Sequence, residues 1–164
     1  MKQVTTSSSK VIYSAASKQK MPVILYQPVG TSGRDDVYLY NDSPDQQKPS
    51  HTTADEQTTN RLVYTNNQQI RLVTKETRWQ YRSSWDHFLF AGSGMDNKLV
   101  RRVNTFYYPR YYVKVSVKQM KQLAKQMASQ LAASNASNAP LAANGSSEAA
   151  MKIKGQLLKR ALAN

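Results

Sequence analysis

The character of the sequence changes near residue 117, and this change sets the strongest limit on the fold. Before it, short runs of β-branched and aromatic residues are separated by glycine, proline and asparagine; after it, alanine, glutamine and lysine dominate. The first pattern is typical of strands and the second of helices. Because 164 residues suffice for about one ordinary domain, we predict a mainly β fold with α (α+β), built around a single core.

The part before residue 117 contains about six or seven short strands, which we expect to form an antiparallel β-barrel or sandwich. The candidates are residues 11–15, 23–29, 37–40, 61–65, 69–82, 99–107 and 111–117, with a further short apolar run at 88–90. Residues 41–60 contain almost no apolar side chains and accumulate proline and aspartate. This composition predicts a long, mobile loop.

Turn residues predict two hairpins within this set of strands. Gly30 and Gly33 separate the second candidate from the third, and Asn66-Asn67 separates the fourth from the fifth. Both residue types tolerate the positive φ that tight hairpin turns require. In the fifth candidate the apolar parity changes near Val73, which predicts a bulge or a bend there.

After the last strand, apolar residues recur at helical spacing and predict an amphipathic helix at about 117–131. The stripe consists of Val117, Met120, Ala124, Met127 and Leu131. On the preceding strand, Val113 and Val115 share one parity, so we expect that strand and this helix to share one core.

The domain organisation follows from these elements. We predict a β-rich domain at residues 1–131, a flexible Ala/Ser/Asn linker at 132–147 and a short basic amphipathic tail helix at 148–164. Gly155 is expected to weaken the tail helix by about 1 kcal/mol relative to alanine.

Catalytic chemistry has few candidate residues in this sequence. The chain has no cysteine and two histidines, which excludes disulfides, thiolate metal sites and a cysteine nucleophile. His87 follows Asp86 directly, but neighbours on a strand point to opposite faces. Ser93 lies between two glycines without the G-x-S-x-G pattern of a nucleophile elbow, and the aspartates of residues 35–45 lack calcium-loop spacing. We therefore expect no enzyme activity, no cofactor and no metal site.

Positive charge is the most prominent chemical feature. The net charge is +13, and residues 61–126 carry +10 of it, whereas residues 30–60 carry −4. This distribution predicts a basic face that binds a polyanion: nucleic acid, anionic lipid headgroups or wall polymers. The alternative is a solvated surface that only keeps the protein soluble. The candidate polyanion-binding residues are Arg71, Arg78, Arg82, Arg101, Arg102, Lys114 and Lys118.

Aromatic residues alternate with cations in residues 78–82 and 106–112. This pattern would allow stacking on bases or sugars. The competing interpretation is that alternate rings belong to the core, because aromatic residues are good strand formers.

Five strings resemble a family of uncharacterised small membrane proteins from lactic acid bacteria. They are Gln3-Val-Thr-Thr6, Lys10-Val-Ile-Tyr-Ser-Ala-Ala-Ser17, Leu25-Tyr-Gln-Pro-Val-Gly-Thr-Ser-Gly33, Arg78-Trp-Gln-Tyr81 and Asn104-Thr-Phe-Tyr-Tyr-Pro109. The resemblance covers nearly all of residues 3–131. It implies an extracytoplasmic domain that follows one or more apolar N-terminal helices, which this sequence lacks, and it implies no activity and no site residue.

Two function hypotheses follow. In the first, the chain is a soluble fragment of a membrane-anchored Gram-positive protein, a non-catalytic extracytoplasmic domain that contacts anionic lipid or cell-wall polymer through its basic face. In the second, it is a cytosolic nucleic-acid-binding β-barrel. No small-molecule substrate is indicated by the sequence.

Overall fold

The computed structural model describes residues 1–17, 20–31, 35–134 and 148–162. Their elements, in chain order, are β1 (Lys2–Val11), β2 (Tyr13–Ser14), β3 (Val23–Gln27), β4 (Val37–Asn41), β5 (Ser50–His51), β6 (Thr58–Thr65), β7 (Arg71–Gln80), α1 (Ser84–Phe90), β8 (Leu99–Pro109), β9 (Val113–Ser116), α2 (Val117–Ser134) and α3 (Glu148–Leu162). The predicted α+β class, mainly β, is confirmed.

The chain divides into two compact units, each assembled from separate stretches of sequence. The first unit comprises Met1–Ile12, Val29–Val37 and Thr52–Arg110, and the second comprises Tyr13–Pro28, Tyr38–His51 and Tyr111–Asn164. The predicted boundaries at 131 and 147 stay a prediction, and residues 135–147 of the predicted linker lie outside the described residues.

The described strands form two open sheets, with the orders β1-β7-β8-β6 and β2-β4-β3-β9, and β5 pairs with β4. A barrel would require the first and last strands to pair, so the two-sheet alternative is the one observed. The expectation of purely antiparallel pairing is wrong at two places, because β6 pairs with β8 and β3 pairs with β9 in parallel.

The hairpin predicted across Asn66-Asn67 is not formed. Strand β8 lies between β6 and β7, and its residue Phe106 pairs with Leu62 on one side and Leu72 on the other. Placing β8 in the centre buries the Phe106 ring completely. The two strands of the other predicted hairpin, β3 and β4, are hydrogen-bonded neighbours, and residues 32–34 of the predicted turn lie outside the described residues.

Three local predictions need correction. The register shift of β7 lies between Thr77 and Arg78 rather than near Val73. Strand β1 extends back to Lys2 as a partner of β7, although its serine and threonine run has no apolar alternation. The apolar run 88–90 belongs to α1, so Asp86 and His87 are helical.

Each unit has its own buried side chains. In the first unit, Leu72, Phe106 and Tyr108 are buried on one face of the sheet. Beside them lies a polar cluster, in which Thr74 Oγ1 donates to Asn104 Oδ1 at 3.0 Å and Asn104 Nδ2 donates to Asn60 Oδ1 at 2.9 Å.

The second unit has an apolar core made of Ala16, Val23, Val113, Val115 and Leu158. Met120 and Leu123 of α2 pack against this core, which confirms that β9 and the helix share it. Farther along the predicted stripe, Ala124 and Met127 are exposed.

Helix α3 packs closely on the rest of the second unit at Gly155. A Cβ added to this glycine would collide with the carbonyl oxygen of Tyr111. Gly155 therefore allows α3 to approach the backbone of Tyr111 closely. The sequence-based expectation concerned only the low helix propensity of glycine and did not include this contact.

The predicted loop at 41–60 is interrupted by β5 and ends in β6. Gln46 Oε1 accepts from the Asp42 amide at 2.6 Å, and Ser50 Oγ donates to Asp42 Oδ2 at 2.7 Å. These hydrogen bonds fold its first ten residues back on themselves; its mobility stays a prediction.

Candidate polyanion interface

The first sheet has one buried face and one exposed face, because successive side chains of a strand alternate. Leu72, Asn104 and Phe106 lie on the buried face. Residues of the other parity meet across the strands: Arg71 pairs with Tyr107, and Arg61 pairs with Thr105, which in turn pairs with Val73.

Four cations have this exposed parity, and all four are exposed. They are Arg61 on β6, Arg71 and Lys75 on β7, and Arg101 on β8. We call this surface the basic face. Among the residues of the four strands, all of which the structure describes, Glu76 is the one acidic residue, and it has the opposite parity. The strands therefore present positive charge on the basic face without a carboxylate of their own there.

Glu76 instead neutralises two of the predicted binding residues on the other face. Its Oε1 accepts from Arg102 Nε at 2.7 Å, and its Oε2 accepts from Arg78 Nε at 3.0 Å. The hydrogen bond from Arg102, followed by that from Arg78, lowers the pKa of the Glu76 carboxyl. Arg78 Nη1 also donates to the carbonyl oxygen of Asn97 at 2.9 Å. Both arginines are half-buried and connect neighbouring chain segments.

The remaining predicted residues lie elsewhere. Arg82 is exposed between β7 and α1. Lys114, in the second unit, places its Nζ 4.2 Å from the centroid of the Tyr26 ring and 5.3 Å from that of Tyr38. Lys118 is exposed in the first turn of α2. Of the seven predicted residues, only Arg71 and Arg101 are therefore on the basic face.

Sequence reasoning missed Arg61 and Lys75. The signal that could have found them is strand parity: Arg61 alternates with the half-buried Leu62, and Lys75 alternates with Thr74 of the polar cluster. Net charge by segment counts both residues but does not separate the two faces of a sheet.

Hydroxyl groups and one aromatic ring extend the basic face. Thr5, Ser7 and Ser9 of the edge strand β1 pair with Thr77, Lys75 and Val73 respectively, and the Thr5 and Thr77 hydroxyls are 2.8 Å apart. Such groups donate hydrogen bonds to phosphate oxygens. Among the alternating aromatic residues, Phe106, Tyr108 and Tyr112 are buried while Tyr107 is half-buried on the basic face. The core interpretation thus holds for the first three rings.

Metal-binding clusters and membrane-spanning helices are both absent from the described residues. In that part of the chain, no group of three or more histidine or acidic side chains is placed to hold a metal ion. Over residues 1–17, 20–31, 35–134 and 148–162, no helix is both long and apolar enough to cross a membrane.

Comparison with protein-family models gives a match over most of the chain. The profile of DUF4811, a domain of unknown function, matches residues 1–123, a range that includes all nine strands of the described residues and the first turns of α2. No curated protein and no solved structure matches the chain. The match covers well over half of the 164 residues and confirms the resemblance to a family without assigned activity. The chain belongs to the DUF4811 family.

Proposed function

We propose that this chain is a non-catalytic domain that binds a phosphate-bearing polyanionic surface through the basic face. The observation that carries the proposal is the segregation of charge on the first sheet. Arg61, Arg71, Lys75 and Arg101 share the exposed parity, whereas Glu76 lies with its two arginines on the other face.

The spacing of side chains in the sheet arranges the four cations as an extended array rather than as a compact cluster. Neighbouring strands lie about 4.8 Å apart, and side chains of one face repeat about every 6.7 Å along a strand. Arg71 and Lys75 are two such repeats apart on β7, Arg101 lies on the neighbouring strand β8, and Arg61 lies on β6 beyond it. An extended array suits a surface or a polymer that offers many phosphates better than it suits one small anion.

The expected affinity is weak. A basic residue near an anionic bilayer contributes about 1 kcal/mol, so four residues supply about 4 kcal/mol, which corresponds to a dissociation constant of about 1 mM. Binding of this kind falls as salt screens exposed charges. A second contact or a local anchor would therefore be needed for stable attachment.

The location we propose is the extracytoplasmic face of a Gram-positive membrane, where anionic lipid and wall polymers both present phosphate. The support is the resemblance of five sequence strings to small membrane proteins of lactic acid bacteria. We propose no catalytic role, because the basic face combines cations and hydroxyls without an acid–base pair.

Nucleic acid is the second candidate ligand. The observation that favours it is Tyr107, whose half-buried ring lies on the basic face opposite Arg71. A ring beside a cation can stack on a base while the cation contacts phosphate.

The test compares two variants that lose the same charge. The first carries Arg61→Gln, Arg71→Gln, Lys75→Gln and Arg101→Gln. The control carries Lys121→Gln, Lys125→Gln, Lys159→Gln and Arg160→Gln, four exposed cations of α2 and α3. Sedimentation with anionic vesicles at about 50 mM and about 500 mM salt measures binding, a range over which the screening length shortens several-fold.

We expect the first variant to lose at least ten-fold in affinity and the control to lose less than two-fold. Equal losses would show that net charge alone drives binding and would contradict a specific face. Teichoic acid and DNA replace the vesicles in parallel titrations. Tight, sequence-dependent binding to DNA would favour the second candidate instead.

A further inference from the structure

Helix α1, in the first unit, exposes three large apolar side chains. Trp85, Phe88 and Leu89 are 73%, 75% and 66% exposed, more than any other large apolar residue that the structure describes. Their spacing places them on one side of the helix, and the rings of Trp85 and Phe88 meet edge to face with centroids 6.3 Å apart. A contiguous exposed apolar patch of this kind marks an interaction site. We call these three side chains the apolar prong.

The polar side of α1 holds the helix in this orientation. Ser83 caps its N-terminus, since its Oγ accepts from the Asp86 amide at 3.3 Å. Asp86 Oδ2 accepts from the Arg82 amide at 3.2 Å, and the His87 ring packs edge to face against Tyr81 with centroids 5.3 Å apart. Asp86 and His87 therefore contact the segment that precedes the helix, while Trp85, Phe88 and Leu89 face solvent, the reverse of the apolar side chains of a core helix.

Two exposed cations lie near the segment that carries the apolar prong. Arg82 precedes α1 and is exposed, and so is Lys98 at the start of β8. The backbone carbonyl of Lys98 accepts from the Trp79 amide at 3.0 Å, so this lysine lies at the end of β7 from which α1 departs. Among the cations of the basic face, Arg101 lies nearest to this end of β7, because it pairs with Thr77.

Tryptophan and phenylalanine beside exposed cations match the interfacial layer of an anionic bilayer. Aromatic rings are favoured at the depth of the headgroups, where one edge is apolar and the other wet, and basic residues bind the phosphates above them. We propose that α1 inserts Trp85, Phe88 and Leu89 into an anionic lipid interface while the basic face holds the headgroups. This inference rests on the proposed polyanion binding and names lipid as its partner.

A cysteine-directed dye tests insertion directly, because the natural chain has no cysteine. The full chain with Leu89→Cys carries an environment-sensitive dye, and the control is Leu157→Cys on α3, where the native leucine is 60% exposed. Vesicles contain phosphatidylglycerol and phosphatidylcholine with bromine on the acyl chains. We expect quenching of the dye at position 89 to exceed that at position 157 at least three-fold.

A second measurement separates this inference from the basic face. Trp85→Ser with Phe88→Ser should weaken vesicle binding at least ten-fold and make the remainder more sensitive to salt, whereas Leu157→Ser should change it less than two-fold. Vesicle binding with no quenching at position 89 would overturn insertion and leave the basic face intact. Binding to teichoic acid but not to vesicles would do the same.

Two further outcomes also overturn insertion. Absence of binding to any polyanion would refute both the basic face and the prong. A blue shift of the dye at position 89 that grows with protein concentration without lipid would instead assign α1 to contact between two copies of the chain.

Discussion

The two units are stabilised by different chemistry. The second unit buries aliphatic side chains of β3 and β9 beneath α2 and α3, with Val23 and Val115 completely inaccessible. The first unit has long strands, one buried polar cluster and a basic face that is open to solvent. The comparison indicates that the second unit depends on close apolar packing, while substitutions on the first sheet's exposed face can change binding without unfolding the protein.

The largest effect is expected from Val115→Asp in the second unit. Val115 is 0% exposed within the apolar core, so the substitution would bury an unpaired charge, and we expect a loss of more than about 4 kcal/mol, a large share of the about 5–15 kcal/mol that stabilises a domain. Lys114→Asp changes the opposite face and should cost about 1 kcal/mol through the lost contacts with Tyr26 and Tyr38. Similar melting curves for the two variants would contradict the parity of β9.

Asn60→Ala tests how far the first unit depends on polar contacts. Asn60 Nδ2 donates to the carbonyl oxygens of Asp36 and Thr53 at 3.0 and 3.1 Å, and the substitution leaves these oxygens without that donor. We expect a loss of about 1–3 kcal/mol in urea denaturation. Asn67→Ala, in the exposed turn, is the control and should cost less than about 0.5 kcal/mol. Equal effects would show that the cluster adds nothing.

Gly155→Ala distinguishes tight packing of α3 from simple helix propensity. Alanine favours a helix over glycine by about 1 kcal/mol, but its Cβ would meet the Tyr111 carbonyl, and overpacking costs about 1–3 kcal/mol. We therefore expect net destabilisation in a thermal melt. Gln156→Ala, at the exposed neighbouring position, is the control and should leave the thermal stability unchanged. A stabilised Gly155→Ala protein would mean that α3 does not pack on Tyr111.

Alkaline pH should destabilise the second unit through Tyr112. Burial, with a smaller contribution from Tyr111, raises the pKa of Tyr112 to about 12, whereas an unfolded tyrosine has a pKa of about 10. Between these values the unfolded chain ionises first, so stability that is present below about pH 10 falls by about 1.4 kcal/mol per unit as pH rises to about 12. Urea denaturation across this range should show a shallower slope for Tyr112→Phe than for the exposed Tyr13→Phe. An unchanged slope would contradict a buried neutral hydroxyl.

The smallest effect on stability is expected on the basic face. Arg71→Gln and Lys75→Gln remove exposed charges without opening a buried space, so each should change the free energy of unfolding by less than about 0.5 kcal/mol. Arg102→Gln, which breaks the contact with Glu76 on the other face, is the comparison and should cost more. If the basic-face variants unfold first, the assignment of the two faces is wrong.

The elements that were predictable from sequence are those with strong local patterns. Alternation in β8 and β9 and helical spacing in α2 placed these elements within a few residues, because the burial of one face creates the pattern itself. Strand β1 carried no such pattern, since its ten residues lie at a sheet edge and all but Val4 are exposed. The central position of β8 depends on pairing between distant segments, which local turn signals such as Asn66-Asn67 do not encode.

The sign of the charge at the candidate site was predictable from the sequence, but the residues that carry this charge on the basic face were not. The surplus of charge in residues 61–126 correctly indicated that the sheet is basic, yet Arg78 and Arg102 proved to be partners of Glu76. Their pairing depends on the cross-strand register, which local sequence patterns do not encode. The exposure of Trp85 and Phe88 also escaped prediction, because an apolar run beside a turn is usually a buried strand rather than an outward helix.

The two parallel strand pairs constrain the order in which strands can pair during synthesis of the chain. Strand β3 finds its partner β9 only after residues 113–116 have been synthesised, and β6 waits for β8. Such distant pairings slow folding and leave strand edges open to aggregation. Of the described strands β1 is synthesised first, and its serine and threonine run offers few apolar side chains for contact with other chains during that interval. We therefore expect the low apolar content of β1 to limit aggregation until β7 has been synthesised and pairs with it.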